Sequence, residues 1–214
     1  MKIPEWIVFD VGGVIIDITR YRSDFYGKVA KEFGHTPEQI EEIYNRNSHA
    51  WYRGTASVSF LFQGLSENTE EIEAMVNMYL QSRIVMKDSM HRPVVVDAIH
   101  VLKDAGFKLA ILSNIGKELI EFPVYGYEVE PFSLFDVFVD SYKTGFIKPE
   151  PEIFSYFFNE IKALPENCLF IDDTLVNVEA SENAGMSAFL FKEETFIDEL
   201  EKYTGIKVKN NVVM

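Results

Sequence analysis

Apolar residues along the chain form short uninterrupted runs in some regions and recur every three or four positions in others. Five short runs predict β-strands that are covered on both faces, because such strands lose the alternation of apolar and polar side chains. The predicted strands cover residues 6–10, 107–112, 137–139, 168–171 and 187–191. Between the first strand and the second the spacing is helical, with one predicted helix face formed by Ile72, Met75, Val76 and Tyr79.

Capping residues mark the helices predicted between residues 20 and 90. A helix over residues 21–33 is predicted to end at Gly34, a residue type common just past helix ends. Thr36-Pro37-Glu38-Gln39 combines an N-cap, a proline at the first helical position and a glutamine at the third, so a second helix begins there. A short helix is expected after Ser57 and a longer one from Thr69.

From residue 92 onward, helical segments alternate with the short apolar runs, which predicts a parallel α/β sheet. Helices are expected near residues 93–105, 151–163 and 175–184. The predicted fold class is therefore α/β, with a doubly wound, Rossmann-like parallel sheet and an α-helical insertion after the first strand. We expect two domains, an α/β core of residues 1–18 and 91–214 and a helical cap of residues 19–90.

Composition and charge narrow the class of protein. The chain has 214 residues, of which 47% are hydrophobic and 25% charged, as in a globular protein with a sizeable core. Its formal net charge of -14 argues against nucleic acid or an anionic membrane as a partner, so any phosphate site must be built locally. The single cysteine, Cys168, excludes a disulfide framework and suits a reducing compartment. The sequence shows no signal peptide and no membrane-spanning run, and we expect a cytoplasmic monomer or homodimer.

Polar residues that can carry chemistry follow the predicted strands at their carboxyl ends. Asp10 ends the first strand, Ser113 follows the second, and Asp172 and Asp173 follow the fourth. Lys148 lies just before a predicted helix. Because ligands of open parallel sheets bind beyond the carboxyl ends of the strands, all five residues should converge on one rim of the sheet.

These residue types form a chemically coherent set. Two acids from different strands can hold a magnesium ion, a hard cation that prefers oxygen ligands. A serine hydroxyl and backbone amides can bind phosphate oxygens, and a lysine can neutralise charge that develops during transfer. One carboxylate can then attack phosphorus, because the metal offsets the repulsion between two anions. Gly12 and Gly13 remove side chains beside Asp10 and permit backbone geometries that other residues resist.

The order and spacing of these motifs resemble the haloacid dehalogenase (HAD) superfamily, in the subgroup with a helical cap inserted after the first motif. The resemblance covers essentially the whole chain. It implies that Asp10 is the nucleophile and a metal ligand, and that the backbone carbonyl of Gly12 is a second metal ligand. It also implies that Ser113 is the phosphate-binding serine, with the Asn114 backbone nearby, and that Lys148 is the lysine of the third motif.

The fourth motif contains the remaining metal ligands that the resemblance implies. Asp173 matches the principal metal-binding acid, Asp172 is a neighbouring acid of the same site, and Asn177 stands where many members carry a further acid. Gly12 and Gly13 belong to the implied phosphate-binding loop. The resemblance therefore implies a magnesium-dependent phosphatase that acts on a small phosphorylated metabolite, similar to sugar-phosphate phosphatases.

The chain departs from the family pattern at Gly12. Phosphatases of the superfamily usually carry a second aspartate at this position, which protonates the leaving group and later activates water. Such acid–base help is worth about 10²–10⁴ in rate. Asp17 and His49 are candidate substitutes for this aspartate. The plainer interpretation of Asp17 is a turn or helix-cap acid, and that of His49 is a solvated helix residue.

Two alternative functions stay open on the sequence alone. A metal-independent haloacid dehalogenase would use Asp10 to attack carbon, but Asp172 and Asp173 would raise the pKa of that nucleophile if no metal were bound. A catalytically weak protein that binds a phosphorylated ligand is compatible with Gly12. The helix residues considered as contacts for the non-phosphate part of a substrate are Arg20, Tyr21, Arg22, Trp51, Tyr52, Arg53 and Gly54.

Overall fold

A parallel β-sheet forms the centre of the molecule. The structure, a computed structural model, describes residues 2–121 and 130–208, without the side chains of residues 20, 21, 84–90, 120 and 121. The strands are β1 (Trp6–Phe9), β2 (Lys108–Ser113), β3 (Val137–Asp140), β4 (Cys168–Asp172) and β5 (Ser187–Leu190). Their spatial order is β3-β2-β1-β4-β5, and every neighbouring pair is parallel. All five predicted strands are therefore confirmed.

Helices connect these strands and cover the sheet. Between β1 and β2 the chain forms α1 (Ile18–Phe33), α2 (Pro37–Tyr52) and α3 (Thr69–Met90), with a short 3-10 helix at Val58–Phe62. The later helices are α4 (Pro93–Asp104), α5 (Lys117–Glu121), α6 (Ser141–Thr144), α7 (Pro151–Ile161), α8 (Leu175–Asn183) and α9 (Phe196–Thr204). The α/β fold class, with a doubly wound parallel sheet and helices after the first strand, is confirmed.

The capping signals of α1 and α2 act as the sequence predicts. The Thr36 hydroxyl accepts a hydrogen bond from the Gln39 amide at 3.3 Å, and the Gln39 side chain accepts one from the Thr36 amide at 2.9 Å. Gly34 ends α1 with a φ of 75°, in the left-handed region. Helix α1 begins at Ile18, three residues before the predicted start at residue 21, because the Asp17 carboxylate accepts a hydrogen bond from the Thr19 amide at 3.1 Å and so caps the helix there.

Both faces of the sheet are buried, which explains why the strands lack polar alternation. Ile7 and Phe9 of β1 pack in one cluster with side chains from α1 to α4 and from α9, whereas Trp6 and Val8 pack with α7 and α8. The first cluster continues from the sheet into the helices between β1 and β2. The carboxyl end of β1 lies between β2 and β4, where the strand order reverses and ligands of such sheets bind.

The chain leaves the sheet for the inserted helices and returns to it at neighbouring positions. Ile16 and His91 form an antiparallel bridge, and the Arg92 amide donates to the Ile15 carbonyl at 2.9 Å. The Arg92 guanidinium also lies 3.4 Å from the Asp17 carboxylate. These contacts determine where α1 begins relative to the end of β1.

Candidate active site

Asp10 lies directly after β1, at the carboxyl edge of the sheet. Its amide donates to the Ile171 carbonyl at 2.9 Å, which connects the residue to β4. One carboxylate oxygen, Oδ1, accepts a hydrogen bond from Ser113 Oγ at 2.7 Å and lies 3.0 Å from Lys148 Nζ. Within the described part of the chain, Asp10 Oδ2 has no hydrogen-bond donor. The structure thus brings together Asp10, Ser113 and Lys148, and it leaves one Asp10 oxygen available.

Lys148 is buried between two carboxylates. Its Nζ lies 3.0 Å from Asp10 Oδ1 and donates to Asp172 Oδ2 at 2.6 Å, and the residue is only 3% exposed. Burial acts to lower the pKa of Lys148, but the attraction of the two acids and its hydrogen bonds to them raise that pKa above its ordinary value. The lysine therefore carries a permanent positive charge beside Asp10.

The Asn114 side chain positions the backbone of Lys148. Asn114 Nδ2 donates to the Lys148 carbonyl at 2.9 Å, and Asn114 Oδ1 accepts from the Lys148 amide at 2.8 Å. The sequence prediction considered only the Asn114 backbone, as a phosphate contact. An asparagine directly after the strand-end serine was the available signal, but its partner lies 34 residues later and local spacing does not identify it.

Asp172 is buried, and its oxygens are occupied by protein donors. Besides Lys148, the Thr174 amide donates to Oδ1 at 2.8 Å, and Asn177 Nδ2 lies 3.1 Å from both oxygens. These bonds join Asp172 to the first turn of α8. The contacts point to a positioning role for Asp172, and its predicted service as a metal ligand stays a prediction.

Gly13 allows Asp173 to lie close to the loop that follows Asp10. Gly13 has a φ of 90°, and a Cβ there would lie 2.0 Å from Asp173 Oδ2, so only glycine fits. Gly12 is different, because a Cβ there would meet only Ile18, at 3.6 Å, which is ordinary van der Waals contact. Asp173 itself is exposed and accepts a bond from the Thr174 hydroxyl at 3.2 Å.

The acids form a cluster suited to a divalent cation. Carboxylate oxygens of Asp10, Asp172 and Asp173 lie within 4.8 Å of one another. The pKa of Asp10 is raised to about 6, mainly by burial and to a smaller extent by the two other acids, while Lys148 and Ser113 act to lower it. Burial and Asp172 likewise raise the pKa of Asp173. Three acids against one buried lysine leave excess negative charge, and oxygen ligands of this kind suit Mg²⁺.

Helix residues enclose a small cavity against this edge of the sheet. Its volume is about 50 Å³, and Gly12, Ser113 and Asn114 line its sheet side. Of the residues considered as substrate contacts, Arg22 and Tyr52 line the helix side of this cavity. The side chains of Arg20 and Tyr21 lie outside the described residues.

Trp51, Arg53 and Gly54 connect the inserted helices to the sheet domain instead of lining the cavity. Trp51 is fully buried, and its Nε1 donates to Glu118 at 2.7 Å. The Arg53 guanidinium forms an ion pair with Glu150 and donates to the Gly145 carbonyl at 3.1 Å. A Cβ at Gly54 would lie 2.7 Å from a backbone oxygen of the segment that forms α6.

The two candidate substitutes for the missing acid–base group lie elsewhere. Asp17 caps α1 and forms an ion pair with Arg92, which agrees with its interpretation as a helix-cap acid. His49 is exposed on α2 and does not line the cavity. Neither residue is positioned by these contacts to donate a proton beside Asp10.

Comparison with known proteins gives a family match over most of the chain. The profile described as haloacid dehalogenase-like hydrolase matches residues 4–185. The chain is 28% identical over 191 residues to a phosphoglycolate phosphatase of Aquifex aeolicus, with 86% of this chain and 83% of the relative covered. It is also 28% identical over 136 residues to bifunctional epoxide hydrolase 2 of Rattus norvegicus, an alignment that covers 58% of this chain but only 23% of that longer protein.

A solved structure shares the fold. It is a HAD family enzyme of Bacteroides thetaiotaomicron in complex with magnesium and inorganic phosphate. The sequences are 20% identical, and the TM-score is 0.63 with 88% of this chain and 94% of the other covered. In the described part of the chain, no helix combines the length and apolar character needed to cross a bilayer.

Gly13→Ala is expected to weaken Mg²⁺ binding roughly 10–100-fold, the cost typical of disturbing groups that orient metal ligands. The reason is that the new Cβ would overlap the Asp173 carboxylate. Titration calorimetry with Mg²⁺ measures the effect. Gly27→Ala in α1 is the matched control, because a Cβ there meets nothing within 4 Å. Equal affinities of the two variants would contradict a metal site that includes Asp173.

The stability of the metal-free protein should depend on pH through Asp10. The pKa of Asp10 is raised from 3.8 to about 6, so the folded state binds this proton more tightly than the unfolded state. Its contribution to stability is complete below pH 3.8 and is lost as the pH rises through about 6. Asp10→Asn, which cannot ionise, should therefore gain stability relative to the natural chain between pH 4 and 6.5, as measured by urea unfolding in EDTA. A difference that is constant across this range would contradict the raised pKa.

Proposed function

The chain belongs to the haloacid dehalogenase-like hydrolases, and from that premise we propose that it is a magnesium-dependent phosphatase of a small phosphorylated metabolite that works through an aspartyl-phosphate intermediate. The observation that carries the proposal is the convergence of Ser113 and Lys148 on one oxygen of Asp10. This arrangement orients the carboxylate and leaves its second oxygen toward a substrate. A cytoplasmic location and a monomeric or homodimeric state stay predictions from the sequence.

Asp10 is the proposed nucleophile. Its Oδ2 attacks phosphorus, an Asp10 O–P bond forms, and the ester P–O bond breaks so that the electron pair leaves on the alcohol oxygen. Water then attacks the phosphorus of the aspartyl-phosphate, which returns the Asp10 carboxylate and inorganic phosphate. Lys148 supplies a permanent positive charge next to the transferring group, and Ser113 supplies a hydroxyl at the same place.

The proposed metal ligands are Asp10, Asp173 and the backbone carbonyl of Gly12, with Asp172 beside them. A bound magnesium ion would supply charge that lets an anionic nucleophile approach an anionic phosphate. The excess negative charge of the acid cluster supports this assignment. The backbone amides of residues 12 and 114 are the proposed further phosphate contacts, whereas the amide of Gly13, also expected to bind phosphate, donates to the Ile16 carbonyl at 2.8 Å.

Residues 19–90 are proposed to act as a cap over the site. Support comes from contacts that join the inserted helices to the segments after β2 and β3. The Ser141 hydroxyl donates to the Tyr52 carbonyl at 2.6 Å, Trp51 donates to Glu118, and Arg53 pairs with Glu150. A cap in this place would exclude water from the reacting atoms and select the leaving group.

A second candidate function rests on Gly12. The described residues offer no side-chain acid at the position that usually protonates the leaving group, so the chain could bind magnesium and a phosphorylated ligand with little turnover. A metal-independent dehalogenase is less compatible with the structure, because burial, together with Asp172 and Asp173, raises the pKa of Asp10 and so disfavours an anionic nucleophile without a metal.

Phosphate release from p-nitrophenyl phosphate and a panel of sugar and acid phosphates, with Mg²⁺ or EDTA, tests the proposal. We expect release that requires Mg²⁺ and falls to background in Asp10→Asn, because the amide is a poor nucleophile. Asp17→Asn is the matched control, since asparagine also caps helices and this acid lies outside the acid cluster. Undiminished release by Asp10→Asn would refute the phosphatase mechanism, halide release without metal would favour the dehalogenase, and binding without release would favour the second candidate.

Gly12→Asp is expected to accelerate hydrolysis of phosphates with poor leaving groups. The structure leaves room for the new Cβ, and the carboxyl group would supply the missing proton donor. In single-turnover experiments that follow release of the alcohol, the expected gain on an alkyl phosphate is up to about 10²–10⁴-fold, with little change on p-nitrophenyl phosphate, whose leaving group needs no proton. Gly12→Asn is the control of equal size. If both variants behaved alike toward both substrates, the missing acid would not explain slow turnover.

A further inference from the structure

The cavity beside the proposed reaction site has a basic and phenolic helix side. Across from Gly12 and Ser113, its lining includes Arg22, Arg83, Tyr44 and Tyr52. Two arginines therefore line the same small space in a chain whose formal net charge is -14. A pair of arginines so placed is a local exception to the acidic character of the protein.

Arg22 lacks a carboxylate partner among the residues that the structure describes. Its guanidinium lies 5.9 Å from the centre of the Tyr44 ring, and its Nε is buried without a hydrogen-bond partner there. Leaving such a group without a partner is costly, because it has lost water without gaining another acceptor. A ligand that brings an anionic oxygen into the cavity would supply the missing acceptor.

The other helix residues add rigidity and donors. Arg83 is only 5% exposed, lies 5.2 Å from the centre of the Tyr79 ring and donates to the Tyr79 hydroxyl at 3.2 Å. The Tyr44 and Tyr52 hydroxyls lie 3.3 Å apart, so at most one of the two protons is used between them. Burial raises the pKa of both phenols, which keeps them protonated.

The size of the cavity limits the anion. The cavity is small, because about 50 Å³ is room for only a few ordered waters. A carboxylate group fits a space of this size. A planar carboxylate also matches the fork of a guanidinium, which can donate two parallel hydrogen bonds to it.

We propose that this cavity is a carboxylate subsite, and that the preferred substrates are small phosphate monoesters whose leaving group carries a carboxylate within two or three bonds of the ester oxygen. The inference rests on the proposed phosphatase function and names its substrate class. Arg22 is the specificity-determining residue of the subsite, supported by Arg83 and the two tyrosines.

A plainer role for Arg22 is to offset the charge of the acid cluster, since it acts to lower the pKa of Asp173. The two roles differ in one measurable respect. A general electrostatic role affects all substrates alike, whereas a carboxylate subsite affects only substrates that carry the second anion.

The test compares kcat/KM for 2-phosphoglycolate with that for 2-hydroxyethyl phosphate, which replaces the carboxylate by a neutral group of similar size. We expect a preference for 2-phosphoglycolate of at least roughly 10-fold, and a loss of roughly 10–100-fold on that substrate alone in Arg22→Gln. Arg46→Gln, at an exposed arginine of α2, is the matched control and should leave both values unchanged. Arg22→Lys should retain part of the preference, because the charge remains but the fork is lost.

The outcomes separate this inference from the function on which it rests. Release of phosphate from both substrates without preference, or equal losses on both in Arg22→Gln, would overturn the subsite and leave the phosphatase intact. If no substrate releases phosphate, the phosphatase proposal fails, and calorimetric titration of the metal-free protein with 2-phosphoglycolate tests the subsite by itself. Binding that is tighter than for 2-hydroxyethyl phosphate and weaker in Arg22→Gln supports it; equal binding overturns it.

Discussion

The buried ion pairs of Lys148 with Asp10 and Asp172 are the interaction on which the site depends. The ammonium group lies 3.0 Å and 2.6 Å from the two carboxylates, and Asn114 bonds both backbone groups of the lysine. Removing one partner of a buried pair typically costs about 3–5 kcal/mol, because the other charge is left uncompensated. Lys148 therefore both permits three acids to gather at one sheet edge and holds Asp10 in a defined orientation.

The rest of the site follows from how the sheet presents these residues. β1 is the central strand, so Asp10 receives Ser113 from β2 on one side and faces the β4 acids on the other. Glycine at position 13 removes the one side chain that would prevent the approach of Asp173. The inserted helices then close the remaining side with arginines and tyrosines, which gives the cavity a charge opposite to that of the acid cluster.

The sequence predicted the sheet and the convergence of Asp10, Ser113, Lys148, Asp172 and Asp173 on one edge of it, because buried strands and the residues at their ends are local features. It did not predict contacts between distant segments. The hydrogen bonds of Asn114 to Lys148 and the overlap between Gly13 and Asp173 join residues whose separation carries no local signal. The start of α1 at residue 18 and the short helices α5 and α6 were also missed. Helix α9 was not predicted either. Its buried positions are only Phe196, Leu200 and Thr204, and so narrow an apolar stripe resembles a solvated segment in the sequence.

The central claim is that Asp10 becomes phosphorylated. Without an acid–base side chain at residue 12, water attack should be slow and the intermediate should accumulate. Acid quenching during turnover, followed by borohydride reduction and peptide mass spectrometry, converts a phosphorylated aspartate into homoserine. The account predicts homoserine at position 10, formed only when substrate and Mg²⁺ are both present. Steady phosphate release with homoserine at another aspartate, or with none at position 10, would contradict it.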